Sequence, residues 1–437
     1  MIAGFVAVPD AARYRLVDAR VPTVLLADGA AGDDLTRADL VIADGRIEAV
    51  LAPGTAAADL PASDLRGGQV WPGFVDLHTH LDKGHIWPRA ANPDGTFGGA
   101  LATVEADRAA HWSADDIRAR MEFGLACAFA HGTVAIRTHL DCIHAGEART
   151  TWRVFAELRQ RWAGRITLQG VSLTLPEDVL GPDGEPLADL VAENGGILGC
   201  IAYDCPEVEA AIEALMRRAA ARGLDLDFHV DEDNDPNSDC LRLIAEVALK
   251  LSFPNRIVVG HCCSLALRPE AEARRTLDRV AEAGLAVVSL PMCNMYLQDR
   301  VPGRTPRWRG VTLVHEFAAR DIPVSFASDN CRDPFYAYGD HDMVEVWSQA
   351  VRIAHLDHPI GAWPAAVTRR PAAAMGLGSA GRIAAGAPAD LVLFNARTPN
   401  ELLARPQGDR VVLRAGRQIA TTPPDYRELD ALFRGRG

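Results

Sequence analysis

Eight short apolar runs recur through the middle of this 437-residue chain, at 74–80, 133–139, 166–173, 197–203, 225–230, 256–261, 285–290 and 322–327. Helix-like stretches separate most of them, such as Ala114 to His131 and Glu207 to Arg222. Short apolar runs alternating with helical segments predict strand–helix units around a parallel sheet. Eight such units match an α/β fold of the (β/α)8 TIM barrel type better than an open doubly wound sheet, which usually has fewer strands. The predicted barrel occupies residues 71–377.

The two ends read differently. Residues from about Pro22 to Gln69 look like short strands and turns, with a hairpin over 38–50 around Asp44-Gly45. Residues 381–394 and 410–419 are again strand-like. The two ends are expected to pair into one small β-sandwich module, composed of residues 1–70 and 378–437. The Pro- and Gly-rich stretches Asp178 to Pro186 and Gln298 to Arg309 read as surface loops.

Composition narrows the function. A hydrophobic content of 48% is ample for a large core. A formal net charge of -13 without a basic cluster speaks against a nucleic-acid partner, because phosphate contacts need grouped Lys and Arg. No uncharged apolar run is long enough for a membrane span. The segment Met1 to Phe5 lacks the basic start and apolar stretch of a secretory signal. Nine cysteines without framework spacing fit a reducing cytoplasm, most of them as small buried hydrophobes. A homo-oligomer is compatible with the sequence, which specifies no oligomeric state.

Several of the apolar runs end in metal-ligand residue types. The first closes with Val75-Asp76-Leu77-His78-Thr79-His80-Leu81-Asp82. Residues i and i+2 of a strand share a face, so His78 and His80 can grip one ion. His229, His261 and Asp329 end the fifth, sixth and eighth runs in the same manner. In a TIM barrel the C-terminal strand ends form the active site, so the fold and the residue types point to one place.

These residues resemble the amidohydrolase superfamily, and within it the cytosine deaminase-like group. The likeness rests on Pro72-Gly73-Phe74-Val75-Asp76-Leu77-His78-Thr79-His80-Leu81-Asp82, Arg137-Thr138-His139-Leu140-Asp141, His229-Val230-Asp231-Glu232, Gly260-His261, Asn294-Met295-Tyr296-Leu297-Gln298 and Ser328-Asp329-Asn330. It implies that His78, His80, His229 and Asp329 bind one divalent metal. A His/Asp set accepts zinc or iron. Many relatives hold two metals through a carboxylated lysine at the end of strand 4. Here Gly196 to Asp204 contains no lysine, which implies a single ion.

The resemblance also implies a hydrolytic deaminase of a small aminated nitrogen heterocycle, cytosine-like or related, that releases ammonia. Glu232 would carry the proton from the attacking water to a ring nitrogen, with His261 and Asp329 orienting the water and stabilising charge. Asp82 is expected to fix the histidine tautomers, and His139 to support the metal ligands from behind or to pack rather than catalyse. His85, His111, His131, His144, His315, His341, His355 and His358 are expected to be solvated or satisfied in the core.

The substrate contacts depart from those of cytosine deaminases. Leu175 aligns with their ring-reading glutamine, Asn330 with a second aspartate and Phe335 with a tryptophan. A leucine cannot hydrogen-bond an amide edge. The stretch Ser328 to Asp333 resembles isopropylammelide amidohydrolases, which lack the glutamate at Glu232. An alternative reading is therefore a hydrolase of a cyclic amide or N-alkylamino triazine-type ring. A non-catalytic metal-binding barrel is disfavoured, because all four ligands and the shuttle are present.

Overall fold

The computed structural model describes residues 4–27, 34–143, 145–378 and 380–433, without the side chains of 145–147. The expectations for Met1 to Ala3, for His144, and for the module at 28–33, 379 and 434–437 lie outside the described residues.

Each predicted run holds a strand. The barrel strands are β1 (Phe74–Thr79), β2 (Thr133–Asp141), β3 (Thr167–Leu173), β4 (Leu198–Ala202), β5 (Leu226–Val230), β6 (Ile257–His261), β7 (Ala286–Ser289) and β8 (Val324–Phe326). β1 to β3 form one parallel sheet and β4 to β8 a second. Single parallel bridges join the two sheets at both seams, Val171 to Ile197 and Thr79 to Asp329. The fold is an α/β TIM barrel, as the strand count predicts.

The helices begin and end where the sequence provides caps. Ala114–His131 starts at Ser113, whose side chain accepts from Asp116 N, and stops at Gly132 with φ +101°. A residue with a Cβ would be strained there and would also meet Val392 Cγ2 at 2.6 Å. Asp178 to Pro186 is not a plain loop, because the helices Pro176–Leu180 and Gly184–Glu193 cover most of it. Pro176 and Pro186 lie in first helical turns, where no amide hydrogen is needed, and Pro182 lies in the turn between the two helices. No helix among the described residues is long and apolar enough to cross a membrane. None of the nine cysteines is in a disulfide, and all but the half-buried Cys205 are buried.

Strands from both chain ends share one further sheet. Gln69–Pro72 pairs antiparallel with Leu391–Phe394, and the hairpin Leu35–Ala43 with Arg46–Leu51 turns at Asp44-Gly45. Both turn residues have positive φ, as a two-residue hairpin requires. Tyr14, Leu40, Val70, Leu391 and Leu413 contribute to its own apolar core. Gln69–Pro72 leads directly into β1, and Gly73 N donates to Asp390 O at 2.8 Å. The sheet thereby anchors the strand that carries His78 and His80.

Candidate metal centre and substrate cleft

His78 and His80 leave the end of β1, His229 sits in β5, and Asp329 follows β8. All four are buried. Backbone pairing ties Asp329 to the β1 end: its N donates to His78 O at 2.8 Å, and its O accepts from Thr79 Oγ1 at 2.8 Å and from His80 N at 3.3 Å. Asp329 has φ +62°, a left-handed conformation that is uncommon outside glycine but more accessible to Asp and Asn. Asp231, His261 and Cys262 also have positive φ, so unusual backbone clusters at this end of the barrel.

The ligand atoms converge. His229 Nε2 lies 3.2 Å from His78 Nε2 and 3.2 Å from His80 Nε2. Asp329 Oδ1 lies 3.6 Å from His78 Nε2 and 3.3 Å from His80 Nε2. Ligand bonds of about 2.0–2.2 Å in a tetrahedron place donors about 3.3–3.6 Å apart. Burial holds the three imidazoles far below their ordinary pKa, hence in the neutral form a metal requires. Both carboxylate oxygens of Asp329 are buried without a hydrogen-bond donor among the described residues. A carboxylate in that position calls for a cation. The donor set therefore fits a divalent ion.

Asp82 does not orient the ligand histidines. Its Oδ2 accepts from Asp141 N at 2.7 Å, and Nδ1 of His78, His80 and His229 has no partner among the described residues. His139 is fully buried and its ring lies 3.9 Å from that of His78, consistent with packing. One residue pair further into the barrel, Arg137 Nη1 donates to Asp227 at 2.8 Å.

Glu232 is separated from its acidic neighbours by what each carboxylate does. Asp231 accepts from Cys240 N and Leu241 N and caps the helix Cys240–Leu251. Asp233 accepts from Ser238, Ser264 and Asp235 N, and Asp235 from Asn237. Glu232 instead lines the inner cleft, with Oε1 3.1 Å from Asn294 Nδ2 and 3.2 Å from His261 Nδ1. Burial works to lower the His261 pKa, but the adjacent Glu232 carboxylate outweighs it and raises the imidazole above its ordinary value. Glu232, His261 and Asp329 bring ligand or acid–base atoms within 4.8 Å of one another.

The cleft has two connected parts whose shared lining includes Phe97, Leu101, Arg108, His229 and Glu232. The inner part, about 50 Å³, reaches His80, His261, Asp329, Asn330 and Phe335. The outer part, about 720 Å³, is lined by Leu175, Tyr203, Gln298 and Arg300 among others. Leu173, at the end of β3, lines the inner part, whereas Leu175 lines the outer one. The Asn330 amide is engaged inside the protein, donating to Asp333 at 2.7 Å and accepting from Cys293 Sγ at 3.5 Å.

Sequence reasoning missed Lys83 and Arg108. Lys83 has a signal, as the basic residue closing the motif His78-Thr79-His80-Leu81-Asp82-Lys83. Arg108 has none, because it comes from the helix Phe97–His111 inserted ahead of the usual barrel helix. His85 and His341 depart from expectation. They are buried beside Cys331, both ring nitrogens of His85 and Nε2 of His341 lack partners among the described residues, and the three residues' ligand-type atoms lie within 4.8 Å. The remaining described histidines behave as expected: His131 pairs with Asp340 at 2.8 Å, His315 with Ala354 O at 2.7 Å, and His111, His355 and His358 are exposed.

A barrel with this ligand set at its strand ends defines a metal-dependent hydrolase scaffold, and the chain belongs to the amidohydrolase family, whose model matches residues 195–420. Among its relatives is the pterin deaminase of Rhizobium rhizogenes, 53% identical over 433 residues and covering 98% of this chain and 99% of the relative. Among solved structures, 5-methylcytosine deaminase from Klebsiella pneumoniae liganded with 5-fluorocytosine matches with a TM-score of 0.80 and 25% identity, covering 93% of this chain and 97% of that one. N-isopropylammelide isopropylaminohydrolase from Burkholderia multivorans shares the fold, with a TM-score of 0.74 and 24% identity, covering 95% and 100% of the two chains.

Proposed function

We propose that this protein is a hydrolytic deaminase of a pterin-class ring, a fused bicycle carrying an amino group beside a lactam. The observation that carries the reading is Glu232, set 3.2 Å from His261 in the inner cleft beside Asp329 and His229. The likeness to the Rhizobium rhizogenes pterin deaminase over nearly both whole chains supports the choice of ring. So does the outer chamber of about 720 Å³, which leaves room beyond a single six-membered ring.

The reaction exchanges an amine for an oxygen. His78, His80, His229 and Asp329 would hold a divalent cation, which when bound would supply Lewis acidity and lower the pKa of water. Glu232 accepts a proton from the attacking water and delivers it to a ring nitrogen, which makes the adjacent carbon electrophilic. Water oxygen bonds to that carbon, and the carbon–nitrogen bond breaks. The amine leaves as ammonia after a second proton transfer, and the ring keeps a carbonyl. His261, held by Glu232 and Asn294, faces the same point and stabilises the charge that develops there.

The test is ammonia release from pterin, cytosine, 5-methylcytosine and N-isopropylammelide at equal concentration. Pterin is expected to have the highest kcat/KM by at least about 10-fold, given the discrimination available to a fitted polar site. Faster turnover of any of the three monocycles would overturn the bicyclic reading.

A further inference from the structure

Only two of the 45 basic residues in this chain are lysines, Lys83 and Lys250. Lys250 is an exposed surface residue paired with Glu213 at 2.7 Å. Lys83 is the opposite case. It is 6% exposed, and its side chain lines the inner cleft with His80, Glu232, His261 and Asp329. Its Nζ lies 4.8 Å from the centre of the Phe335 ring, over its face. No hydrogen bond or ion pair reaches Nζ among the described residues.

The backbone around Lys83 is fixed. Gly84 N donates to His80 O at 3.1 Å, His85 N to Cys331 O at 2.9 Å, and the Asp82 carbonyl accepts from Arg120. The turn therefore holds Lys83 at the cleft wall. An ammonium group carries three donors, and burying it without an acceptor is costly. Phe335 offers only a ring face. Asp329 and Asp333 are close enough for Lys83 to favour their charged forms, but neither forms an ion pair with it. Nζ is not among the fully buried polar atoms left without a partner, so it reaches the cleft space, where what fills the inner cleft can supply an acceptor. A compact point charge suits a single oxygen atom, whereas the planar fork of arginine suits a carboxylate or phosphate.

We propose that Lys83 is a substrate-binding residue whose Nζ donates to the lactam oxygen of the substrate's amino-oxo ring. This rests on the reading of the protein as a pterin-class deaminase. The ring edge carrying the amine then faces Glu232 and the ligand cluster, while the oxo edge meets Lys83 above Phe335. Lys83 selects rings that carry a carbonyl near the leaving amine.

The experiment compares wild type, Lys83→Met and Lys83→Arg. It measures kcat/KM on pterin, the competition constant of 2-aminopteridine (the same ring without the oxo group), metal content and the thermal midpoint without ligand. Lys83→Met is expected to lose about 10- to 100-fold in kcat/KM on pterin, the worth of a charged hydrogen bond, with less than about 3-fold change for 2-aminopteridine. Lys83→Arg should recover part of the loss. Metal content should be unchanged, and the midpoint of Lys83→Met should not fall, because no protein partner of Nζ is lost. Equal losses on both rings, or none on pterin, would overturn the assignment. So would a lower midpoint together with lost metal, which would make Lys83 a structural residue. Absence of ammonia release from pterin in the wild type is a separate result, and would remove the functional reading itself.

Discussion

Arg137 donates to Asp227 at 2.8 Å across the barrel, and both side chains are almost fully buried. Each residue precedes a cluster histidine by two positions, His139 and His229, so the pair lies on the same strand faces one layer deeper. The Arg137 guanidinium also donates to Gln169 and to Ala374 O. Arg137→Met removes one partner and leaves the other charge buried. It should cost about 3–5 kcal/mol, the usual penalty for breaking a buried pair, read as a lower denaturation midpoint. An unchanged midpoint would show that the pair contributes nothing to stability.

One equivalent of divalent metal per chain should copurify, and His78→Ala or Asp329→Ala should lower it. Elemental analysis checks this. The group His85, Cys331 and His341 allows a sharper control. An equivalent that survives His78→Ala but is lost in Cys331→Ser would place a second ion there, and would end the single-ion reading.

Glu232→Gln keeps the shape of the side chain and removes the proton carrier. Metal content should stay normal while turnover falls by about 10²–10⁴-fold. Rates near wild type would return Glu232 to the acidic turn formed by Asp231, Asp233 and Asp235.

Leu173 and Leu175 occupy different parts of the cleft, so their substitution should separate. Leu173→Gln should change KM for the preferred ring more than Leu175→Gln does, because Leu173 lines the inner part. The buried amide should also cost about 1–3 kcal/mol of stability. A larger KM effect from Leu175→Gln, or a gain on cytosine from that change alone, would assign the ring-reading position to Leu175.

Asp342 joins a barrel helix to the sheet made by the chain ends. It accepts from Val344 N at 2.9 Å at the start of Met343–Ala354, and from Arg410 at 2.7 and 2.6 Å. Burial acts to raise its pKa, but Arg410 outweighs burial and lowers it below the ordinary carboxylate value. A lowered carboxyl contributes stability above its unfolded pKa of about 3.9, and loses it as pH falls through the folded value. Asp342→Asn should cost about 1–3 kcal/mol at pH 7. Between pH 4 and pH 2 its stability should fall less steeply than that of wild type. Parallel pH profiles would rule out Asp342 as a source of acid sensitivity.

The barrel was legible because its signal is local. Apolar runs of strand length, with Ser113 and Gly132 bounding a helix, carry their own period and caps. The pairing of His78 with His80 follows from the two-residue repeat of a strand. The hairpin at Asp44-Gly45 follows from the positive φ that its turn needs. The helical parts of Asp178 to Pro186 are not legible in the sequence, because proline marks both loops and first helical turns.

What the linear pattern could not decide is which faces meet. Asp329 reaches the β1 end through backbone pairing across 250 positions of sequence. Glu232 is one of several neighbouring acidic residues, and the helix Cys240–Leu251, Ser264 and the turn at Asn237 and Ser238 engage the others and leave it facing the cleft. Residue type alone does not tell Lys83 from a solvated lysine. Its place over Phe335, with no protein acceptor among the described residues, arises because strands far apart in the chain close around one axis. Side-chain period determines the face of each strand, and the register and closure of the barrel determine what that face meets.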